Sequence, residues 1–185
     1  MTTPPYPTQP PYCPPQPAPT PAKDKPLYAG VAAALAIAAI AVFLDWVTVR
    51  FLGMEMSVSA MDMEDGTGPL CLFLLAGAAA LTATAYTTKN PATERPNLIG
   101  SFVVSLGCTV LTLGYFASYR DMAAEHMKET AADNEYFDAD ALANLGSLAE
   151  GAYLFLIGCI AAAVILGILI EKNRKAFPAT QGHIN

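Results

Sequence analysis

The chain has 185 residues, 54 % of them hydrophobic and 14 % charged, with a mean hydropathy of +0.37. This is a membrane composition rather than a soluble one, and the length suits one compact bundle with little beside it. A net charge of −6 leaves no basic surface of the kind that nucleic-acid binding uses, so no nucleic acid is expected as a partner.

Residues Met1–Pro26 form a low-complexity tail that holds eleven of the fifteen prolines. Proline lacks a backbone donor and blocks the helical turn, so the tail is expected to be disordered with a polyproline II bias. PPY ends at Tyr6 and again at Tyr12, and PxxP spacing recurs at Pro4–Pro7 and Pro11–Pro14. Such segments dock in aromatic grooves, which makes Tyr6 and Tyr12 candidate contacts for a cytoplasmic partner. A solubilising spacer is the alternative. The tail has no charged start, and no A-x-A-like cleavage site follows the first apolar run, so that run is expected to stay as an uncleaved anchor.

Four apolar runs, Leu27–Val47, Pro69–Thr88, Leu98–Ser118 and Gly151–Ile170, contain none of the ten Lys and Arg residues. Each has roughly the 20 residues that a helix needs to cross a bilayer. Lipid offers the backbone no hydrogen-bond partner, so each run is predicted to be a helix. The expectation is an all-α integral membrane fold. It comprises a four-helix transmembrane bundle over residues 27–171, with a small outer β-hairpin, an acidic helical outer loop and a C-terminal tail at 172–185.

The first run is Ala-rich and ends at Asp45–Trp46. Trp46 fits the interfacial aromatic belt, where an amphipathic ring straddles lipid and water. Asp45 is acidic at the edge of an apolar run, which makes it a candidate proton or ion site, although water is within reach at that boundary. In the outer loop of residues 48–68, Val47, Val49 and Phe51 alternate with Thr48 and Arg50. After Leu52–Gly53, Met54, Met56 and Val58 alternate with Glu55, Ser57 and Ser59. Two alternating runs around a Gly predict the β-hairpin. A lone hairpin is marginal in water, so this one is expected to rest on the other outer loop or on a partner. Asp65–Gly66 and Gly68–Pro69 then turn the chain back into the membrane.

The inner loop Lys89–Asn97 is short and polar, which makes helices 2 and 3 antiparallel neighbours, and Pro96–Asn97 suits the start of helix 3. In the outer loop of residues 119–150, Arg120–Ala132 has a helical composition and can continue helix 3. Asp133, Glu135, Asp138 and Asp140 follow beside Tyr136 and Phe137. Asp138 or Asp140 can cap a second short helix carrying a Leu142, Leu145 and Leu148 stripe. The acidic run lacks the Gly of an EF-hand loop, so it is expected to be a solvated interaction surface with no metal bound.

Charge is sorted along the chain. With the N-terminus inside, Lys23, Lys25, Lys89, Arg95, Lys172, Arg174 and Lys175 are cytoplasmic, and only Arg50, Arg120 and Lys128 are outside. The positive-inside bias therefore predicts a multi-pass cell-membrane protein with both termini in the cytoplasm. Thirteen of the sixteen acidic residues then fall outside or at the outer boundary.

The four cysteines, Cys13, Cys71, Cys108 and Cys159, do not form a disulfide framework, since neither outer loop contains one. Cys108 and Cys159 share a depth if helices 3 and 4 pack antiparallel. Small apolar packing and a functional pair are both open there. Ala29/Ala33, Ala76/Ala80/Thr84, Ser101/Ser105/Thr109, Gly158/Ala162 and Ala163/Gly167 are four apart, a spacing that lets helices approach closely. No catalytic constellation is visible, and no cofactor is expected.

The string FLDWVTVRFLGMEMSVSAMDMEDG resembles a pattern in small actinobacterial four-helix membrane proteins with a Pro-rich cytoplasmic N-terminal tail. Leu44, Trp46, Val47, Val49, Ser57, Val58, Ser59, Asp65 and Gly66 carry the match, with Asp45 where that pattern has proline. The resemblance implies fold and topology but no activity. The functional expectation is a non-enzymatic accessory or interaction subunit of a membrane or cell-envelope complex, in contact with lipid and other membrane proteins. The alternative is a small transporter, channel or ion-coupled sensor built around Asp45.

Overall fold

The computed structural model describes residues 23–51, 54–63, 66–88, 90–131 and 146–176. Four long helices and three strands account for most of them: α1 Lys25–Ala41, β1 Asp45–Phe51, β2 Met54–Ser59, α2 Thr67–Thr87, α3 Pro91–Ala131, β3 Gly146–Leu148 and α4 Glu150–Ala176. Stretches of 21, 28 and 26 residues in α2, α3 and α4 are long and apolar enough to cross a membrane. At 17 residues, α1 is shorter.

The helices are apolar on their outer faces as well as in their core. Ile40, Phe73, Val103, Val110, Ile157 and Val164 face outward, each more than half exposed. The interior combines Leu35, Leu75, Leu98, Phe155 and Leu166 with the small Ala34, Ala38 and Ala78 and the polar Thr82, Ser101, Ser105, Thr109 and Thr112. Water disfavours so many large apolar side chains on the outer faces. Lipid tolerates large apolar side chains outside, and small residues inside let the backbones approach. Gly158 shows how closely: a Cβ there would lie 2.9 Å from the Ala34 carbonyl of α1 and 2.9 Å from the Ala38 Cβ.

Helix α1 packs on α4, α4 on α3 and α3 on α2, whereas α1 and α2 meet only sparsely. The bundle is thus a ring with one loose seam. At one end lie the first residues of α1 and the last residues of α4, and at the other end lies the sheet.

Three expectations about element bounds change. First, α1 stops at Ala41 rather than Val47. The Phe43 and Leu44 amides close tight turns onto Ile40 and Ala41, and the alternating β-branched residues that follow extend as β1. Second, α3 starts at Pro91 instead of Pro96–Asn97, because the Asn90 side chain accepts the Ala92 amide at 3.0 Å and caps the helix one turn earlier. Pro96 sits inside the helix, where its missing N–H leaves the carbonyl of the exposed Ala92 to solvent. The backbone of α3 runs on to Ala131, as the composition of Arg120–Ala132 suggested.

Third, the fold is not purely helical beyond a hairpin, because the sheet has three strands in the order β2-β1-β3. β1 and β2 pair antiparallel with Phe51 opposite Met54, as the alternation predicted. β3 joins the other edge of β1, with Val47 opposite Leu148 and Val49 opposite Gly146. Leu148 is therefore a strand residue and not the last position of a helical stripe. The support that the hairpin needed comes from the second loop, whose backbone groups complete the ladder on β1.

Candidate functional site

Trp46 organises the sheet end of the bundle. Its neighbours Asp45 and Val47 pair with Ser59 and Val58, so Trp46 is the extra residue of a β-bulge. A bulge re-aims one side chain, and here it turns the indole into the bundle, where the residue is 1 % exposed. The indole N–H donates to the Ala41 carbonyl at 2.8 Å, a shorter bond than the one this carbonyl accepts from the Leu44 amide at 3.3 Å, and so fastens the end of α1. The ring meets Phe155 of α4 at 5.2 Å and Tyr115 of α3 at 5.9 Å between centroids. The Trp46 carbonyl accepts the Ala149 amide at 2.8 Å, fixing the approach to α4. Gly151 must lack a side chain, because a Cβ there would stand 2.7 Å from the Asp45 carbonyl and 2.9 Å from the indole. Trp46 is thus an internal tie and not a lipid-facing belt residue. The exposed rings near the helix ends are Phe43, Tyr86 and Tyr153. Asp45 is exposed at the first position of β1, outside the helices.

A second cluster closes the opposite end. Lys23 Nζ donates to the carbonyls of Ala85, Tyr86 and Thr88, each at 2.6 Å, which satisfies the open C-terminal acceptors of α2. The same ammonium lies 3.7 Å from Glu94 of α3, and the Tyr28 hydroxyl of α1 donates to Glu94 at 2.9 Å. The Tyr28 and Tyr86 rings pack at 5.2 Å. Lys23, Tyr28 and Glu94 thereby join α1, α2 and α3 at one point. Asp24 is held separately by Lys172 of α4 at 3.1 Å. Sequence reading treated Lys23 and Glu94 only as topology charges, because their partners are more than sixty residues away.

Between the two ends the interior carries hydroxyls and thiols. Thr82 and Ser101 lie 2.8 Å apart, and both reach the Ala78 carbonyl, at 2.9 and 3.0 Å. Two hydroxyl protons serve these three contacts, so two are made at a time. Thr109 and Thr112 donate to the carbonyls of Ser105 and Cys108 one turn back. Cys108 of α3 and Cys159 of α4 are buried neighbours with free thiols, and Cys71 of α2 is a third buried thiol. The shared depth was legible from the sequence, and the adjacency follows only from the packing. The Ser105 hydroxyl, near Cys108, is buried with no partner. Among the described residues, no group of His, Cys, Asp or Glu is arranged to hold a metal ion.

The loose α1/α2 seam encloses a groove of about 860 Å³. Ala32, Ala36 and Ala39 line one wall and Leu72, Ala79 and Ala83 the other, with Lys25 and Tyr86 at the end nearest the chain termini. Of this lining the sequence spacing marks only Ala29 and Ala76, and it does not show the groove, since spacing along one helix says nothing about which neighbour is missing. The remaining candidate residues, Tyr6, Tyr12, Asp133, Glu135, Asp138 and Asp140, lie outside the described residues.

Compared with known proteins, the chain matches no family profile, and no curated protein or solved structure is detectably similar to it.

Proposed function

We propose that this protein is a four-span membrane protein, with both termini in the cytoplasm, that acts as a non-enzymatic interaction subunit of a membrane or cell-envelope complex. The observation that carries this reading is the sheet. Six-residue β2 lies at its edge, and the sheet is locked to the bundle through Trp46. An edge strand presents unpaired backbone donors and acceptors, which a partner strand can use, and a rigid mount lowers the entropy lost on docking. The split of Lys and Arg supports the orientation. Crossing of the bilayer by α1 fits its length of about 26 Å at 1.5 Å per residue, close to the hydrocarbon thickness. The acidic run Asp133–Asp140 would add charge to the same outer face, and the Pro-rich tail would engage a partner inside.

The test is crosslinking and affinity purification from native membranes with three forms of the chain. These are the wild type, Val58→Lys on the edge strand, and a variant with Asp133, Glu135, Asp138 and Asp140 changed to Asn or Gln. A partner bound through the outer face should be lost with Val58→Lys and weakened by salt in the wild type. A partner set unchanged in all three forms at both low and high salt would overturn the reading. Ion flux in proteoliposomes that Asp45→Asn abolishes would favour the transporter instead.

A further inference from the structure

We infer that the α1/α2 groove is a binding site for one anionic phospholipid, with an acyl chain lying along the alanine walls and the phosphate at Lys25. The groove is almost wholly apolar in its lining and runs from Ala39 and Leu72 near the sheet end to Lys25 and Tyr86 near the termini. Its 860 Å³ is far below the volume of a transmembrane helix, which at ~10 Å across and ~26 Å long fills on the order of 2000 Å³. An acyl chain is the membrane component slim enough to enter between the two helices, and alanine walls leave the room for it.

Charge selects the headgroup. Of the ionisable groups at this end, Lys23 is spent on the α2 carbonyls and Glu94, Glu94 is also held by Tyr28, and Asp24 is held by Lys172. Glu171 is engaged by Arg174 and Lys175. Among the described residues no carboxylate pairs with Lys25, which is exposed at the groove mouth. Lys25 is also the first residue of α1, so the positive end of the helix dipole adds to its charge. Asp24 and Glu94 are each already paired with another lysine, so the mouth presents the Lys25 cation above an apolar channel. Amphiphiles with a negative head and a hydrocarbon tail match both features, and a zwitterionic lipid matches only the second.

The experiment purifies the full chain in mild detergent and adds equal amounts of phosphatidylglycerol and phosphatidylcholine. Native mass spectrometry then counts the lipids retained per chain. One phosphatidylglycerol should be retained in preference to phosphatidylcholine. Lys25→Gln should reduce that preference roughly fivefold, the worth of one lysine beside an anionic lipid surface. Lys175→Gln, remote from the groove lining, should not. Ala32→Phe and Ala79→Phe fill the groove from opposite walls and should abolish retention, with circular dichroism showing that the helices persist. Since Lys25 is exposed, Lys25→Gln tests the site even if a groove-filling variant does not fold. Equal retention of the two lipids, or retention unaffected by Lys25→Gln, would mean a non-selective annular lipid and overturn the proposal. A change in the number of chains per particle on filling the groove, with lipid content unaltered, would also overturn it in favour of a helix interface.

Discussion

At the scale of single residues, Trp46 concentrates more of the fold than any other side chain. Its indole links α1 by a hydrogen bond and α3 and α4 by ring contacts. Trp46→Ala should lower stability by about 3–5 kcal/mol, the usual cost of emptying a large aromatic site. Trp46→Phe keeps most of the packing but removes the indole's hydrogen bond to the Ala41 carbonyl, which the Leu44 amide still reaches, and should cost about 0.5–1.5 kcal/mol. Thermal unfolding in detergent, run on all three forms, orders these effects, and equal midpoints would refute the internal role. Trp46 is also the chain's one tryptophan, so its emission should be blue-shifted and resist iodide quenching. The thiols lead to a second expectation at this scale. Cys71, Cys108 and Cys159 are 8 %, 1 % and 0 % exposed, so a water-soluble maleimide should leave all three unmodified until the bundle is denatured. Peptide mapping after labelling of the native protein checks this directly.

At the scale of elements, apolar runs free of Lys and Arg located all four helices, because lipid and packing both exclude unpaired charge. Helix ends were less legible. Asn90–Pro91 and Pro96–Asn97 are competing start signals only a few residues apart, and the capping geometry of Asn90 decides between them. The end of α1 depends on a tertiary event, since the carbonyl of Ala41 is capped by a side chain from the strand beyond it. The hairpin was readable from alternation, yet β3 was not, because three residues carry no periodic signal and pair across nearly one hundred positions. That Leu148 belongs to this strand was not legible for the same reason, while Leu142 and Leu145 of the expected stripe lie outside the described residues. The α1–α4 contact makes its own prediction. Gly158→Val places methyl groups where the Ala34 carbonyl and Ala38 already stand, and should destabilise the bundle by about 1–3 kcal/mol. Gly107→Val, where an added Cβ meets nothing within 4 Å, is the control expected to change the melting temperature little.

At the scale of the whole molecule, the ring order of the helices sets what is shared between neighbours. The α2–α3 pair is joined by a short connection, by the Thr82–Ser101 contact and by Lys23 and Glu94 at the terminal end. Helix α1 instead leans on α4, which follows it by more than one hundred residues. This has a consequence for synthesis. Helix α1 leaves the ribosome well before α4 and has no principal partner until α4 is made, whereas α2 and α3 can associate at once. During that interval the 17-residue α1 has only its sparse contact with α2 and the Lys23, Tyr28 and Glu94 cluster to hold it, and its strand β1 lacks the β3 edge as well. A chain ending after residue 145 should therefore retain the α2–α3 hairpin, while Trp46 loses Phe155, shifts its emission to the red and becomes quenchable by iodide. A truncated chain with unshifted emission would show that α1 is seated without α4. Otherwise α1 waits for its seat until α4 is made, and any quality-control factor that captures loosely held helices has that whole interval in which to meet it.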